Sequence, residues 1–458
     1  MNTNYFATPN ELQATDRYHG RPADKRDGRN DFAIDRDRIL YSKAFRRLSD
    51  KTQVFFSDEI KDLRTRLTHT LEVSQIARTI VSSLGCNLDL TEAIALGHDV
   101  GHTPFGHVGE RTLNLILNNC EQRSIPIREN NLGFKHNLQS IRVLCDLEGD
   151  LNLSKYTLWG IANHSKLQYP ECKLKQGICY SIHHPSQCQR PRNYKHRLCC
   201  TFYDNYLETI NRDEYWSIEG LVVGLADEIA QRHHDIEDSL RYNILDRDSL
   251  LEQLIVFESE FSALDNENYE NLKRSSSEPD DVFIANFSRL IVKAYVVNLI
   301  EDTKRRINEM GRKLGINEPQ DFRRLKKDIS ITDAKNLVGF SNEFEIADKS
   351  FHSFLKSSIL NSYAAQSMDG KGAFLIRRLF EAYLSNPSQL PDDQIRSFYK
   401  AIRSSNKTLG QMRGEINSVR NTESRRNHLM RVIADYISGM TDAYAYNQFD
   451  LLYGTRLK

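Results

Sequence analysis

The sequence predicts an all-α protein, and two observations lead to that prediction. Apolar residues recur at helical steps of three and four along most of the 458 residues, and no stretch shows the sustained apolar–polar alternation of a large sheet. Beyond residue 241, charged connections rich in Ser, Pro and Asp, such as KRSSSEPDD and SNPSQLPDD, separate the helical segments. We therefore expect helical subdomains around one core.

The first strongly periodic segment runs from Leu63 to Leu84 and predicts a helix. Its apolar residues follow three- and four-residue steps, and Gly85 stands where a helix C-terminus is expected. Counting back four residues from Val73 reaches His69, so we expect His69 on the buried face of this helix. A single histidine there is more often a hydrogen-bonded core residue than a ligand, and this alternative stays open at this point.

A second helix is expected to begin at Asp89, with Glu92 three residues later, and to run as an apolar stripe toward residue 97. Gly101 and Pro104 should end it, because both residues disfavour a continuing helix.

The stretch HDVGHTPFGHVGE, residues 98–110, concentrates titratable and ligating side chains. His98 and Asp99 should project from the last turn of the second helix, and the following loop carries His102. A new helix should begin near His107 and hold Glu110 one turn later. Imidazole and carboxylate groups in such density suit a divalent metal and general acid–base chemistry.

A third helix is predicted for residues 217–240, with an apolar stripe on one face. Asp227, Gln231 and Asp235 stand at i, i+4 and i+8 on another face, behind Gly220 and Gly224, whose small size allows close approach of another element or a ligand. A solvated acidic face is the alternative interpretation of this pattern. Further on, residues 430–452 predict one long helix with aromatic side chains.

The composition is that of an ordinary globular protein, with 39% hydrophobic residues, 27% charged residues and a formal net charge of +0. This balance gives no global attraction to nucleic acid or to a membrane surface. The polar N-terminus lacks the apolar core of a secretory signal, and no apolar run approaches a membrane-spanning length. We therefore expect a cytoplasmic protein with no membrane partner.

Five of the 8 cysteines lie between Cys172 and Cys200, interleaved with histidines. This segment has the ligand types of a structural zinc site but lacks the paired C-x2-C spacing of such sites. Reduced thiols in a loop insertion are the favoured interpretation, because disulfides are rare in a reducing cytosol.

His69 within RLTH, the pair His98-Asp99, and Asp227 within ADE match in order the H…HD…D signature of the HD-domain phosphohydrolases. Flanking segments narrow the match, namely RRL and KTQV (46–54), GHTPFGHVGE (101–110), GFKHNLQSIR (133–142) and DYISGMTD (435–442). The chain resembles the dGTPase-like deoxynucleoside triphosphate triphosphohydrolases over most of its length. The whole constellation in order is far more specific than an isolated HD pair.

The resemblance implies that His69, His98, Asp99 and Asp227 hold one divalent ion per active site. Two imidazoles and two carboxylates suit Mn, Mg or Fe better than a tetrahedral structural zinc. The implied reaction is attack of water at the α-phosphorus of a deoxynucleoside triphosphate, with dGTP or other dNTPs as substrate. The products are deoxynucleoside and tripolyphosphate.

The resemblance also implies roles for further residues. His107 is the expected proton donor to the 5′ oxygen, and Glu110 fixes its tautomer and stabilises its charged form. His102 and His136 are expected to donate to the phosphates, helped by Arg66.

The sugar is expected to contact Gln53 and Asp235, both able to bond a 3′ hydroxyl. Gln231 departs from the family pattern, because other members often carry a tyrosine that packs on the sugar and disfavours a 2′ hydroxyl. Discrimination against ribonucleotides is therefore open, as is base preference.

On this basis we expect an N-terminal segment (1–60) that contributes to the active site and an HD metal-dependent phosphohydrolase core (61–245). The Cys-rich insertion should occupy about 165–215 of that core, and a C-terminal helical subdomain should follow (246–458). The family also implies a homo-oligomer, commonly a hexamer, and allows single-stranded DNA or a nucleotide as an effector.

Two alternatives stay open. One is another HD-domain phosphohydrolase, acting as a nucleotide monophosphatase or phosphodiesterase with the same ion. The other is a nucleotide- or nucleic-acid-binding relative that keeps the fold without turnover.

Overall fold

The computed structural model describes residues 6–10, 12–25, 27–52, 64–118, 132–167, 169, 200–210, 214–254, 257, 269–270, 272–273, 279–404, 406–419 and 422–454. Within these ranges the regular structure is helical and no strand is present, which confirms the predicted all-α class. Two isolated β-bridges join Arg17 to Ser154 and Thr52 to Thr65.

The first half of the chain contains helices α1 (Asp31–Leu40), α2 (Lys43–Arg46), α3 (Arg66–Leu84), α4 (Leu88–Gly97), α5 (Gly106–Leu117), α6 (His136–Arg142), α7 (Lys155–Asn163), α8 (Asp204–Ile210), α9 (Ile218–Arg241) and α10 (Arg247–Leu254). The second half contains α11 (Asp280–Leu314), α12 (Pro319–Leu325), α13 (Ile331–Lys335), α14 (Asn342–Leu360), α15 (Tyr363–Ser385), α16 (Asp392–Ala401), α17 (Leu409–Val419), α18 (Glu423–Ser438) and α19 (Asp442–Tyr453).

The helices that carry the predicted site begin and end close to the expected positions. Helix α3 ends at Gly85, whose φ of 67° is the left-handed conformation that glycine adopts without strain. Helix α4 begins one residue before Asp89, because the side chain of Asn87 caps it by accepting the N–H of Leu90. Asp89 instead lies in the first turn, where a carboxylate is favourable.

The prediction of one long helix over residues 430–452 is wrong. The structure has two helices there, α18 and α19, separated at residues 439–441. Gly439 follows the last turn of α18, and the Thr441 side chain accepts the N–H of Tyr444 to start α19. A weak helix former followed by a good N-cap thus divides the segment.

Close packing of α7 on α9 uses the glycines that the sequence singled out. A Cβ atom on Gly220 would lie 3.1 Å from the Cα of Gly160, and one on Gly224 would lie 3.0 Å from the carbonyl oxygen of His164. Both glycines therefore let α7 approach α9, as predicted, and the second one places His164 beside α9.

Buried apolar residues form two clusters in the described chain, where the sequence analysis expected one core. The larger cluster takes residues from α3, α4, α7, α9 and α11, among them Val73, Ile94 and Ile229. The smaller cluster takes residues from α5, α15, α16 and α18, among them Leu113, Leu379 and Ile433. The predicted domain boundaries are not tested by this division and stay predictions.

Among the described helices, α11 is long and apolar enough to cross a membrane by length and composition, contrary to the expectation that no apolar run approaches that length. Its side chains Phe287, Ile291 and Leu299 are fully buried in the larger cluster. Such burial is typical of a core helix in a globular protein, which passes the same test. The cytoplasmic location stays a prediction.

Candidate active site

The four predicted metal ligands come together from three helices. His69 lies on α3, His98 and Asp99 directly follow α4, and Asp227 lies on α9. Nε2 of His69 lies 2.9 Å from Oδ1 of Asp227, and Nε2 of His98 lies 3.8 Å from the same oxygen and 3.9 Å from Oδ1 of Asp99. The expected burial of His69 is also found, since only 1% of the residue is exposed.

The loop after the His98-Asp99 pair is held against α6. The Gly101 N–H donates to Oγ of Ser140 at 2.9 Å, and that hydroxyl donates to the carbonyl oxygen of His98 at 2.8 Å. A Cβ atom on Gly101 would lie 2.1 Å from the Ser140 nitrogen, so only glycine permits this approach. The sequence motif therefore contains a packing requirement as well as ligating groups.

The chemistry of these four side chains fits a divalent cation. Nδ1 of His98 lies 2.6 Å from the carbonyl oxygen of Ala95, so Nδ1 carries the proton and Nε2 carries the lone pair. Nε2 of His98 is buried and makes no hydrogen bond within the described chain. A lone pair that faces two carboxylates without a proton between them calls for a cation.

Both carboxylates are ionised in this environment. Burial by itself raises the pKa of Asp99, but the Arg66 guanidinium and the neighbouring imidazoles hold that pKa well below its ordinary value. Burial likewise opposes ionisation of Asp227, yet the neighbouring imidazoles of His69 and His98 lower its pKa. Nη1 of Arg66 donates to Oδ2 of Asp99, so this arginine, predicted at the phosphates, also orients a predicted ligand.

A second group of titratable side chains surrounds Glu110. Oε2 of Glu110 lies 3.1 Å from Nδ1 of His107, as the helical spacing predicted, and 2.8 Å from Nδ1 of His136. Oε1 accepts a hydrogen bond from the Tyr169 hydroxyl. Burial opposes the charge, but His136 and His107 hold the pKa of Glu110 well below its ordinary value.

His136 lies between the Glu110 carboxylate and a buried histidine that follows α7. Nδ1 of His164 lies 2.7 Å from the carbonyl oxygen of Ile161, so Nε2 of His164 carries a lone pair. Nε2 of His136 lies 3.2 Å from that lone pair, and its Nδ1 faces the Glu110 carboxylate.

The ring of His102 stacks on His136, with 4.6 Å between ring centroids. Burial, reinforced by the charge of Arg66, holds the pKa of His102 well below its ordinary value, so this imidazole is neutral. His107 is the accessible member of the group, with 63% of its side chain exposed.

One cavity of about 510 Å³ connects the two groups. His69, Asp99 and Asp227 line it together with His102, His107 and His136. Four cationic side chains also line it, Arg66, Lys135, Lys166 and Lys335. Positive charge concentrated in a concave site favours an anionic ligand.

Two family models match the chain, one described as the HD domain over residues 66–198 and one as a phosphohydrolase-associated domain over residues 338–450. A deoxyguanosinetriphosphate triphosphohydrolase-like protein from Geobacter metallireducens is 33% identical over 439 residues, covering 93% of this chain and 90% of the relative. Proteins of the same name from Bordetella pertussis and Rickettsia prowazekii are each 31% identical, covering 98% and 93% of this chain and 95% and 92% of their own lengths.

The chain belongs to the deoxyguanosinetriphosphate triphosphohydrolase-like family. It is a hydrolase of the HD-domain class, whose members depend on a metal ion, and its His and Asp groups are suitable ligands.

Two of the residues predicted near the sugar lie on α9. Gln231 lines the cavity beside Asp227, and Asp235, two turns beyond Asp227, is 7% exposed. Burial raises the pKa of Asp235 to about 7. Gln53 lies outside the described residues, as do Cys172 and most of the Cys-rich segment.

His164, Tyr169 and Lys135 line the same cavity but were not among the predicted residues. His164 follows the last residue of α7, and Tyr169 reaches Glu110 from beyond that helix. A single histidine after an apolar helix and a single tyrosine carry no distinctive sequence spacing. Lys135 is part of the GFKH segment that supports the family resemblance, which was the available signal.

The C-terminal region contacts the loop between α4 and α5 (residues 98–105, the catalytic loop) through Asp442. Oδ1 of Asp442 accepts the N–H of Phe105 at 2.7 Å, and Oδ2 accepts the N–H and the hydroxyl of Thr52 at 2.7 and 2.6 Å. Phe105 has a φ of 60° and directly precedes α5, which carries His107 and Glu110. The phosphohydrolase-associated region therefore fixes the start of α5.

Lys51 makes a second link between the same regions. Its Nζ donates to the carbonyl oxygen of His102 and, at 2.8 Å, to that of Ser438 at the end of α18. Burial lowers the pKa of Lys51 to about 7. The buried amine thus joins the loop to α18, and it supplies hydrogen bonds to two carbonyl oxygens that would otherwise be buried without a partner from this side chain.

Proposed function

We propose that this protein hydrolyses deoxynucleoside triphosphates, dGTP among them, to deoxynucleoside and tripolyphosphate by attack of water at the α-phosphorus. The observation that carries the proposal is the single cavity that joins the four-ligand group to the His107–Glu110 pair and is lined by four cationic side chains. Hydrolysis of a phosphoester needs a group that activates water, a group that donates a proton to the leaving oxygen, and positive charge that binds the phosphate.

His69, His98, Asp99 and Asp227 would hold the divalent ion, with Mn, Mg and Fe as the candidates. Such an ion, when bound, polarises a phosphoryl oxygen and makes water a stronger nucleophile at neutral pH. His98 and His69 present nitrogen lone pairs, and the two aspartates supply the negative charge that balances the cation.

His107 would deliver the proton to the 5′ oxygen that leaves. Its Nδ1 faces Glu110, which leaves Nε2 as the nitrogen that exchanges a proton with the substrate. The Glu110 carboxylate stabilises the charged imidazolium, and the exposed position of His107 on the cavity gives access to a bound nucleotide. General acid catalysis of this kind contributes about a hundredfold to ten-thousandfold in rate.

The remaining groups would bind and neutralise the triphosphate. His136 lines the cavity and has Glu110 and His164 at its two ring nitrogens. Neutral His102 can donate one hydrogen bond, and Lys135, Lys166 and Lys335 lie on the cavity wall. Preorganised positive groups stabilise the charge that develops on the phosphate oxygens in the transition state.

A product analysis with oxygen-18 water tests this proposal. Purified full-length protein with dGTP and Mn²⁺ should release deoxyguanosine and tripolyphosphate, with the label in tripolyphosphate. Label in deoxyguanosine would mean attack at carbon, and pyrophosphate or orthophosphate as the phosphorus product would mean attack at another phosphorus. Either result contradicts the proposal and favours a different HD phosphohydrolase.

A substrate panel extends the same assay. Comparing dGTP with the other dNTPs measures base preference, and comparing dGTP with GTP measures how far Gln231 permits a 2′ hydroxyl. Homo-oligomer formation and activation by single-stranded DNA or a second nucleotide stay predictions. Light scattering and rate measurements with each added effector would decide them.

A further inference from the structure

A buried histidine lies directly behind the position of the metal ligands. Nδ1 of His69 lies 3.2 Å from Nδ1 of His234 on α9, and Nε2 of His234 contacts Oε2 of Glu72 on α3. The His234 side chain is fully buried, whereas Glu72 is 33% exposed. We propose that Glu72 and His234 are positioning residues that fix the tautomer of His69, an inference that rests on the proposed role of His69 as a metal ligand.

Glu72, His234 and His69 form a series of hydrogen bonds, and the direction of each bond follows from the carboxylate of Glu72 at the outer end. An ionised carboxylate only accepts, so Nε2 of His234 must carry the proton that faces Glu72. A neutral imidazole has one proton and one lone pair, so Nδ1 of His234 is an acceptor. Nδ1 of His69 must then donate, which leaves the lone pair of His69 on Nε2.

That lone pair points at Asp227, the predicted ligand on α9. Nε2 of His69 lies 2.9 Å from Oδ1 of Asp227, and two electron-rich atoms at this distance need a proton or a cation between them. Because the series places the proton of His69 on Nδ1, a cation is the partner that satisfies both atoms. Glu72 thus determines the proton position on a ring that it does not touch.

His98 supports this interpretation because its proton is also fixed on Nδ1, in this case by a backbone carbonyl. Its Nδ1 donates to the carbonyl oxygen of Ala95, which leaves its Nε2 lone pair for the cation. His69 lies in the first turn of α3, and its Nδ1 faces a side chain instead of a carbonyl. Outer partners of this kind orient ligating histidines in many metal sites.

His233 offers a matched control one residue away. Its Nδ1 lies 3.2 Å from Oε1 of Glu72 and its Nε2 lies 3.7 Å from Glu237. His233 therefore contacts the same carboxylate through the other oxygen, without being part of the series that reaches His69. Arg64 also contacts Oε1 of Glu72, at 3.4 Å, and keeps negative charge on that carboxylate favourable.

Mn²⁺ binding to the full-length chain tests the proposal. The chain is freed of metal with a chelator and titrated with Mn²⁺, and free ion is measured by electron paramagnetic resonance. H234L should weaken Mn²⁺ affinity about 10- to 100-fold, whereas H233L should stay within about twofold of wild type. E72Q, which keeps an acceptor oxygen without the charge, should bind Mn²⁺ more tightly than E72A.

The outcomes separate this proposal from the proposed function. Wild type that binds no Mn²⁺ would refute the metal site itself. Wild type that binds Mn²⁺, with H234L equally tight or H233L equally weakened, would refute the positioning role alone. If circular dichroism shows that H234L does not fold, the comparison of E72A with E72Q decides, and equal affinities of these two variants overturn the proposal.

Discussion

The contact of Asp442 with the catalytic loop gives the sharpest prediction. Asp442 is 1% exposed and its carboxylate accepts three hydrogen bonds, one from Phe105 and two from Thr52. Asparagine at this position keeps one oxygen and replaces the other by an amide nitrogen. At least one buried N–H group then faces another donor, which costs about 1–3 kcal/mol.

The effect on catalysis follows from where that lost bond lies. If the remaining side-chain oxygen of the D442N variant stays with Thr52, Phe105 loses its acceptor and the start of α5 is released. A displacement of about 1 Å of a catalytic group lowers the rate about a hundredfold. We therefore expect D442N to lose about 1–3 kcal/mol in the free energy of unfolding and about 10- to 100-fold in kcat, with Mn²⁺ affinity unchanged.

Urea unfolding followed by circular dichroism, steady-state dGTP hydrolysis and Mn²⁺ titration measure the three quantities. D450N, on the exposed side of the same helix, is the control, because it removes the same charge without touching the loop. The reasoning is refuted if D442N matches D450N in stability and kcat. Equal loss of Mn²⁺ affinity and kcat in D442N would also refute it, since the metal ligands lie on other elements.

Three further predictions concern single side chains of the site. D227A should abolish both bound metal, measured by mass spectrometry, and dGTP hydrolysis; a variant that retains either contradicts the ligand assignment. H107A should keep the metal and lower kcat by about a hundredfold or more, and wild-type kcat in this variant would exclude His107 as the proton donor. Burial raises the pKa of Asp235 to about 7, so the folded protein keeps a proton that the unfolded chain releases near pH 4. The free energy of unfolding therefore falls by up to about 4 kcal/mol as pH rises from about 4 to about 7. In thermal unfolding, D235N should be more stable than wild type at pH 8 but not at pH 4. Equal melting temperatures of the two proteins at pH 8 would contradict this.

Helical phase was the part of the fold and site that the sequence could predict well. The four-residue step from Val73 placed His69 on a buried face, and the one-turn spacing placed His107 beside Glu110, because both relations depend only on local helix geometry. No comparable local rule predicts which side chains from distant segments of the chain come into contact. His164 and His234 meet the site only after α7 and α9 have packed, and neither lies in a distinctive pattern.

Local competition explains the remaining differences. Asn87 outcompetes Asp89 as the cap of α4, although both residue types favour that position. The apolar pattern of residues 430–452 continues through Gly439, and it is the cap at Thr441 that divides the segment. Asp235 shares a helix face with Asp227, and its contact with the sugar stays a prediction.

The two clusters of buried residues give the active site a divided origin. The predicted metal ligands lie on or directly after α3, α4 and α9, which belong to the larger cluster, whereas α5, with the predicted proton donor, is packed into the smaller one. The residues proposed to hold the ion and the residue proposed to deliver the proton are thus supported by different clusters of buried side chains. A fragment ending near residue 245 would lose the packing beneath His107 and also helix α11, which packs on α3 and α9, so both groups of side chains depend on the second half of the chain.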